Sequence, residues 1–568
     1  MVSLRKILGI FILFVGINII SEQSQLFSQG QGTSIKGRHE KDSEGREWIL
    51  KDWEESSRPY PDDLKEREEW YRKKWGENWY GPKAGQRIYT PGNWEWGIVT
   101  TVPENMASRI KGSKGKFYEW GNRFDIRVFV WDPGGDGQVT DIYVLSDNCF
   151  FHYDPITKKS NFIGNPDKEG LRDGVMEQAQ LGSNKKLNAT FDSITGRLYF
   201  IQDDKWRYVE KLLPYECSVN KEICYLPAVL DWNEIYRKVK SPRGGKLQPA
   251  IKGGKRGDPV FVVRTNHALK TLHLPGAKIG KRPLITPDGK GVYFSIKGSS
   301  GQLSDTFTLY ETTALFDIES GEMINKPKIT DDVPRNNWNG THRWTSDGPG
   351  SHGGNNLGYD GKIYTCQHGG AGGGPGRMFS IDPVKGKVTM LYDSMAEDGS
   401  WTKRRSPVID GPADAKSLNF TSTLWQVQCP RTGAIINGGW DNTGIRRYHD
   451  GFVTTIAGHN YGAFHKPARP DWSMEFTNVH RNNNPSIASN GDLYIADVHY
   501  EKPRIFRIYR TDWPSEQPVN GYAEKFMPSE KVEALRLEYT TKYIEKYSEK
   551  NELLKEYGLS NQEHTSKE

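Results

Sequence analysis

Three of the chain's 13 histidines, His342, His352 and His368, fall in one polar segment that runs from Asn339 to Arg377. The same segment holds Arg343, Trp344, Asp347, Asn355 and Asn356, and ends in the run Gly369-Gly-Ala-Gly-Gly-Gly-Pro-Gly376. Neutral imidazoles ligate Zn, Cu, Ni or Fe, and they carry protons near neutral pH. Glycines let a ligand come close to the backbone. A second group, His480, Arg481, Asn482 and Asn483, precedes a β-run that ends near Asp497 and His499. These residues define the candidate site. His352, His368, His480 and Arg343 are its candidate catalytic groups. His342, Trp344, Asn355, Asn356, Arg481 and Asn483 are its candidate ligand contacts. A divalent metal is a possible cofactor, of open identity, because the spacing matches no strong metal motif. The competing reading is structural: Asn and His commonly cap strand ends, and the glycines suit an ordinary hairpin. No P-loop, G-x-S-x-G or H-E-x-x-H is present.

Residues so far apart in the chain meet only if the fold brings strand ends together. Of 568 residues, 35% are hydrophobic and 12% aromatic, with 60 glycines, a composition that favours an all-β protein rich in turns. A turn followed by a short β-run recurs, as in Thr195-Gly-Arg-Leu-Tyr-Phe200, Asp288-Gly-Lys-Gly-Val-Tyr-Phe294, Asp360-Gly-Lys-Ile-Tyr364 and Asn490-Gly-Asp-Leu-Tyr-Ile495. A strand–turn–strand unit follows most of them, as in Leu315-Phe-Asp-Ile-Glu-Ser-Gly321. Together these make four-stranded antiparallel modules. One such sheet cannot bury both faces, whereas several packed radially can. The expectation is a six- or seven-bladed β-propeller with short helical N- and C-terminal extensions; a sandwich or solenoid is the rival. The blade count turns on whether Pro259-Val-Phe-Val-Val263 opens a blade of its own. Gly97-Ile-Val-Thr-Thr101 is expected to close the ring against Arg504-Ile-Phe-Arg-Ile-Tyr509.

The ends differ from the middle. Arg5 and Lys6 precede an apolar run, Ile7 to Ile20, which reads as a secretory signal too short for a comfortable membrane span; an uncleaved anchor is the alternative. The expected organisation is a signal peptide over 1–30, a polar aromatic-rich arm over 31–95, the propeller over 96–515 and a charged helical tail over 516–568. Localisation is then secreted or periplasmic, with no integral span after signal removal. Five cysteines are few for an exported chain, and only Cys217 and Cys224 lie close enough in sequence to staple one loop.

Asp410-Gly-Pro-Ala-Asp-Ala-Lys-Ser-Leu-Asn-Phe420 followed by Val453-Thr-Thr-Ile-Ala-Gly458 resembles an NHL-repeat blade. A fainter copy begins at Asp173-Gly-Val-Met, and Asn484-Pro-Ser-Ile-Ala-Ser-Asn-Gly-Asp-Leu-Tyr-Ile-Ala-Asp497 is similar to the entry strand of the same family. Tyr364 through Leu391 resembles a blade of the gluconolactonase and regucalcin-like propellers. The resemblance covers two or three blades and implies a ligand site at the central channel. The metal-binding Asn that follows Ser-Pro in gluconolactonase-like enzymes has no counterpart in Asn482-Asn-Asn-Pro-Ser486.

With 77 basic against 71 acidic residues the net charge is only +6, so composition calls for no nucleic-acid partner. The leading expectation is an exported NHL-like propeller that binds a small molecule, a saccharide, at its channel. The alternative is an extracytoplasmic enzyme, either a polysaccharide lyase or a metal-assisted hydrolase or lactonase. Protein binding at the rim is a further possibility. Mild basicity with 18 Trp and 27 Tyr suits an anionic sugar.

Overall fold

The computed structural model describes residues 37–41, 47–51, 89–90, 94–101, 103, 106, 127–135, 137–145, 148–182, 188–203, 205–219, 221, 223–228, 247–252, 255–269, 278–279, 283–297, 313–325, 356–367, 377–393, 411–412, 423–439, 445–449, 451–457, 485–499, 502–510 and 529–548. Most form small antiparallel sheets in a propeller arrangement. Five blades are each drawn from one stretch of chain. The first is Arg127–Trp131, Asp141–Leu145, Phe150–Asp154 and Lys159–Ile163, paired in that order. The second runs Asn188–Asp192, Arg197–Gln202, Lys205–Cys217 and Val260–Thr265, with Gly174–Val175 at its outer edge. The third is built on Leu284–Ile285, Gly291–Lys297, Thr313–Asp317 and Met323–Asn325. Asn356–Leu357 through Lys387–Asp393 form the fourth, and Thr423–Gln428 through Phe452–Ala457 the fifth.

The ring is closed by a composite sheet. Ser486–Ile487, Leu493–His499 and Lys502–Arg510 are completed by Trp94–Thr101 from the other end of the chain, with Arg504 opposite Thr101 and Ile508 opposite Trp96. That pairing is the closure read from sequence. The expected total of six or seven like modules is corrected to five contiguous blades plus this composite sheet. The strand at Val260–Thr265 founds no blade of its own, because it hydrogen-bonds to Lys205–Cys217 along six registered pairs. A long insertion separates these partners in sequence, which is why the module looked unpartnered.

A buried apolar cluster joins each neighbouring pair of sheets. Leu145 and Phe150 meet Leu198 and Phe200 between the first and second blades. Tyr199 and Trp206 meet Val292 and Phe294 between the second and third. Leu284 and Tyr293 pack on Ile363 and Ile381, and Tyr364 and Met378 on Ile435 and Val453. Cys429 and Ala434 reach Ile487, and Tyr494 and Ile505 return to Val128 and Ile142 of the first blade. The turn at Gly196 shows how tight the contact is. Its φ of +71° disfavours a side chain, and an added Cβ would fall 2.6 Å from the Trp131 ring of the neighbouring blade.

The extensions depart from expectation at one end. Among the described residues the N-terminal part contributes strands, Gly37–Lys41, Glu47–Lys51 and Tyr89–Thr90, in a three-stranded antiparallel sheet rather than a helix. Glu47-Trp-Ile-Leu-Lys51 alone carries the apolar, strand-favouring residues that outweigh its charged context. At the other end the α-helix, α1, spans Ser529–Ser548. Its anchor is charged: Arg536 is buried and donates to the carbonyls of Pro133 (2.6 Å), Ile194 (3.0 Å) and Ser193 (3.1 Å). Tyr539 donates to Glu210, and Glu538 pairs with Lys290 at 3.2 Å. The helix therefore touches turns of the first three blades.

Trp206 tests the interblade packing. It is 1% exposed, stacked on Tyr199 with ring centroids 5.1 Å apart and edge-on to Phe294 at 5.1 Å. Trp206→Ala is expected to lower the unfolding free energy by about 3–5 kcal/mol, read from urea denaturation followed by circular dichroism.

Candidate functional site

The sheets fix where the connecting segments leave the ring. In the fourth blade Asn356 stands opposite Tyr364, and the second strand runs on to Gln367. The segments before Asn356 and after Gln367 therefore depart from the same end of that sheet. In the composite sheet Ser486 stands opposite Tyr494 and the next strand runs on to His499, so the segment before Ser486 leaves from the corresponding end. Neighbouring channel-side strands run in the same direction. Asn356 bonds to Gln426 and Tyr359 to Gln428, and likewise Val130 bonds to Ser486 and Asp132 to Ser489.

Of the ten candidate catalytic and ligand-contact residues, Asn356 alone lies among those described, while Asp497 and His499 lie on the strand Leu493–His499. His342, Arg343, Trp344, His352, Asn355, His368, His480, Arg481 and Asn483 lie outside the described residues, as does the glycine run 369–376. Asn356 is half-buried, and its Nδ2 donates to the Gln426 carbonyl at 3.0 Å across the interface between the fourth and fifth blades. This bond joins the start of the fourth blade to the backbone of the fifth. Gln426 returns the contact through its own amide to the Tyr364 carbonyl. Gln428 accepts from the Tyr359 N–H at 2.8 Å and donates to the Tyr364 hydroxyl at 3.1 Å, and that hydroxyl donates to Asp360 at 2.8 Å. These bonds hold the fourth-blade turn against the fifth blade.

Sequence reasoning missed the buried ionic groups that set the blades. Arg207 is fully buried. Its Nε and Nη2 donate to Asp173 at 3.1 and 2.8 Å, its Nη1 to Gln202 at 2.6 Å and the Gln180 carbonyl at 3.0 Å, and its Nη2 also to the Arg172 carbonyl at 2.8 Å. One guanidinium thereby ties the connection 164–182 to the second blade, and Asp173 also accepts from the Thr265 N–H at 2.7 Å. Glu210 is the second such group. Burial pushes its carboxyl up, but Arg197 at 2.7 Å and Arg264 at 3.8 Å more than offset this and hold it below its ordinary range. The only signal in sequence was a charged residue inside an apolar run, Lys205-Trp-Arg-Tyr-Val-Glu-Lys-Leu-Leu213. Among the described residues no group of three or more His, Cys, Asp and Glu is placed to hold a metal ion. Cys224 stands opposite Tyr215, so the backbone register sets it two residues along from a direct pairing with Cys217.

No protein-family model and no curated protein matches the sequence. Solved structures do align with it at low scores. An auxiliary nutrient binding protein from Bacteroides ovatus is 13% identical with a TM-score of 0.31, over 68% of this chain and 69% of that one. The oligogalacturonate lyase of Vibrio parahaemolyticus is 9% identical with a TM-score of 0.30, over 74% and 94%. The soluble aldose sugar dehydrogenase of Escherichia coli is 10% identical with a TM-score of 0.30, over 73% and 99%. Likenesses at this level decide no chemistry for this chain.

Gln428→Leu is expected to destabilise the fold by about 1–3 kcal/mol, because it strands the Tyr359 N–H and removes one of the two bonds of the Tyr364 hydroxyl, which keeps Asp360. Asn356→Ala, which removes one neutral bond, should cost about 1 kcal/mol. Chemical denaturation of the two variants beside the parent protein measures both.

Proposed function

We propose that this chain is an exported NHL-like β-propeller that binds an anionic saccharide at the loop-bearing mouth of its central channel. The observation that carries the reading is the strand geometry of the fourth blade and the composite sheet. The segments holding His342, Arg343, Trp344, His352, Asn355 and His368, and the segment holding His480, Arg481 and Asn483, enter or leave strands at corresponding ends of sheets separated by one blade. Histidines, arginines and a tryptophan there give the chemistry an acidic sugar requires: cations for its carboxylates and an aromatic face for its ring. The pairing of Ser486–Ile487 with Leu493 and Tyr494, inside the NHL-like stretch of sequence, supports the reading without being particular to that family. Export rests on the basic and apolar N-terminus. Among the described residues no helix is long and apolar enough to cross a membrane.

Titration calorimetry with uronate oligosaccharides, with neutral oligosaccharides as the control, tests the reading. Arg343→Ala and the double variant His352→Ala/His368→Ala should each weaken uronate binding by about tenfold or more, the effect of losing a charge-assisted contact, and leave the denaturation midpoint in place. Equal binding by parent and variants, or no binding of any uronate, overturns it. Release of an unsaturated product that absorbs in the ultraviolet would make the same mouth catalytic, a lyase rather than a binding site.

A further inference from the structure

One buried ionisable cluster has no part in the channel mouth. Asp141 opens the second strand of the first blade and is 0% exposed. Its Oδ1 accepts from His152 Nε2 at 2.7 Å and from Lys211 Nζ at 2.6 Å, and its Oδ2 accepts from the Thr140 hydroxyl at 2.8 Å. His152 belongs to the first blade and Lys211 to the second, so the carboxylate spans their interface. The imidazole is also 0% exposed, with its ring centroid 4.3 Å from that of Phe261 on the second blade and 5.1 Å from that of Tyr143. Its Nδ1 is buried without a hydrogen-bond partner.

The geometry assigns a charge state. Nε2 faces a carboxylate and carries the proton, which leaves Nδ1 bare. Asp141 and Lys211 then neutralise one another, and the imidazole adds no charge. A second proton on the ring would place a cation beside Lys211, with an N–H aimed at no acceptor, between two aromatic rings. The groups facing the ring are Asp141 and Tyr143 from the neighbouring strand, Lys211 from the second blade and Asp154 from its own strand. Burial, aided by Lys211, outweighs the two carboxylates and lowers the affinity of the ring for a proton from its ordinary 6.5. Burial raises Asp141, but Lys211 and His152 outweigh it and hold the carboxyl well below the usual range.

We propose that Asp141, His152 and Lys211 form an acid-sensitive seam between the first and second blades, closed while His152 is neutral and loosened when the ring takes up a proton. The sign follows from where the proton binds. Below the ordinary imidazole value the unfolded or opened chain takes it up and the closed seam does not, so stability from this group is complete above about pH 6.5 and falls as the pH drops. One differential proton changes the opening equilibrium by about tenfold per pH unit within that window. The connection 164–182 packs into the same interface through Ala179 and Leu181. Loosening therefore reaches the segment that Arg207 clamps.

The test compares unfolding equilibria between about pH 7.5 and 5 for the full chain and two variants. His152→Gln keeps a donor for Asp141 but cannot titrate; it should lose up to about tenfold per pH unit of the acid dependence seen in the parent. Lys211→Met removes the cation that opposes protonation, so its slope should flatten or reverse, with the imidazolium now pairing Asp141. Parallel pH profiles for the parent and both variants overturn the proposal. Hydrogen exchange on the parent protein keeps the test open if a variant does not fold. Amides of Asp141–Leu145 and Val260–Thr265 should lose protection at pH 5 relative to Leu493–His499, and equal protection at both interfaces also overturns it.

Discussion

The structure depends on a surface each small sheet cannot cover alone. A four-stranded antiparallel sheet has two faces, and in this chain both are apolar: Tyr199 and Ile201 face the third blade while Leu198 and Phe200 face the first. Successive residues of one strand point to opposite sides, so every central strand is obliged to have a neighbour on each side. A stack satisfies that demand everywhere except at its two ends. A ring satisfies it everywhere, and the cluster of Tyr494 and Ile505 with Val128 and Ile142 is the contact that turns the stack into a ring.

Within those apolar seams the buried charges act as registers. Arg207, Glu210, Asp141 and Arg536 each bond to groups from separate stretches of chain. A buried ion pair adds little net stability over a well-packed apolar one, but breaking one by removing a partner is costly. Asp141 and Arg536 therefore penalise a slip of the first blade against the second more than they strengthen the aligned state, while Arg207 and Glu210 do the same for the connection 164–182 and for α1 against the second blade. The amide contacts among Asn356, Gln426 and Gln428 do the same with neutral groups at the interface between the fourth and fifth blades.

The strand modules were legible because their signals are local. Asp-Gly and Asn-Gly turns ahead of alternating apolar residues, at Asp288, Asp360 and Asn490, do mark tight connections between paired strands. Closure by the strand at Trp94–Thr101 was legible because the last hairpin lacked an outer partner. The blade count was not, since Val260–Thr265 pairs across an insertion that no local pattern spans. The N-terminal sheet was hidden by its charge, which in Glu47–Lys51 sits at the ends of an apolar core of three residues. Among the ten candidate site residues Asn356 is the one described, and the bond it makes to the Gln426 carbonyl follows from its position at the start of an inner strand, with the next blade within reach. The pairing of the ionic seams was not legible: charges inside the apolar run 205–213 mark buried ionic groups, but Asp141 and Lys211 lie 70 residues apart and nothing in either neighbourhood names the other.

The manner of closure has a consequence for biogenesis. Arg536 and the Pro133 carbonyl it meets are separated by 403 positions, and Ser489 and Asp132 by 357. Synthesis runs from the N-terminus, so the first blade keeps one flank bare until the strands near Ser489 and the helix near Arg536 have followed it. Contacts of such long range make folding slow and expose sticky surface meanwhile. Until those later strands dock, the apolar side of Val128 and Ile142 is a bare surface that can associate wrongly.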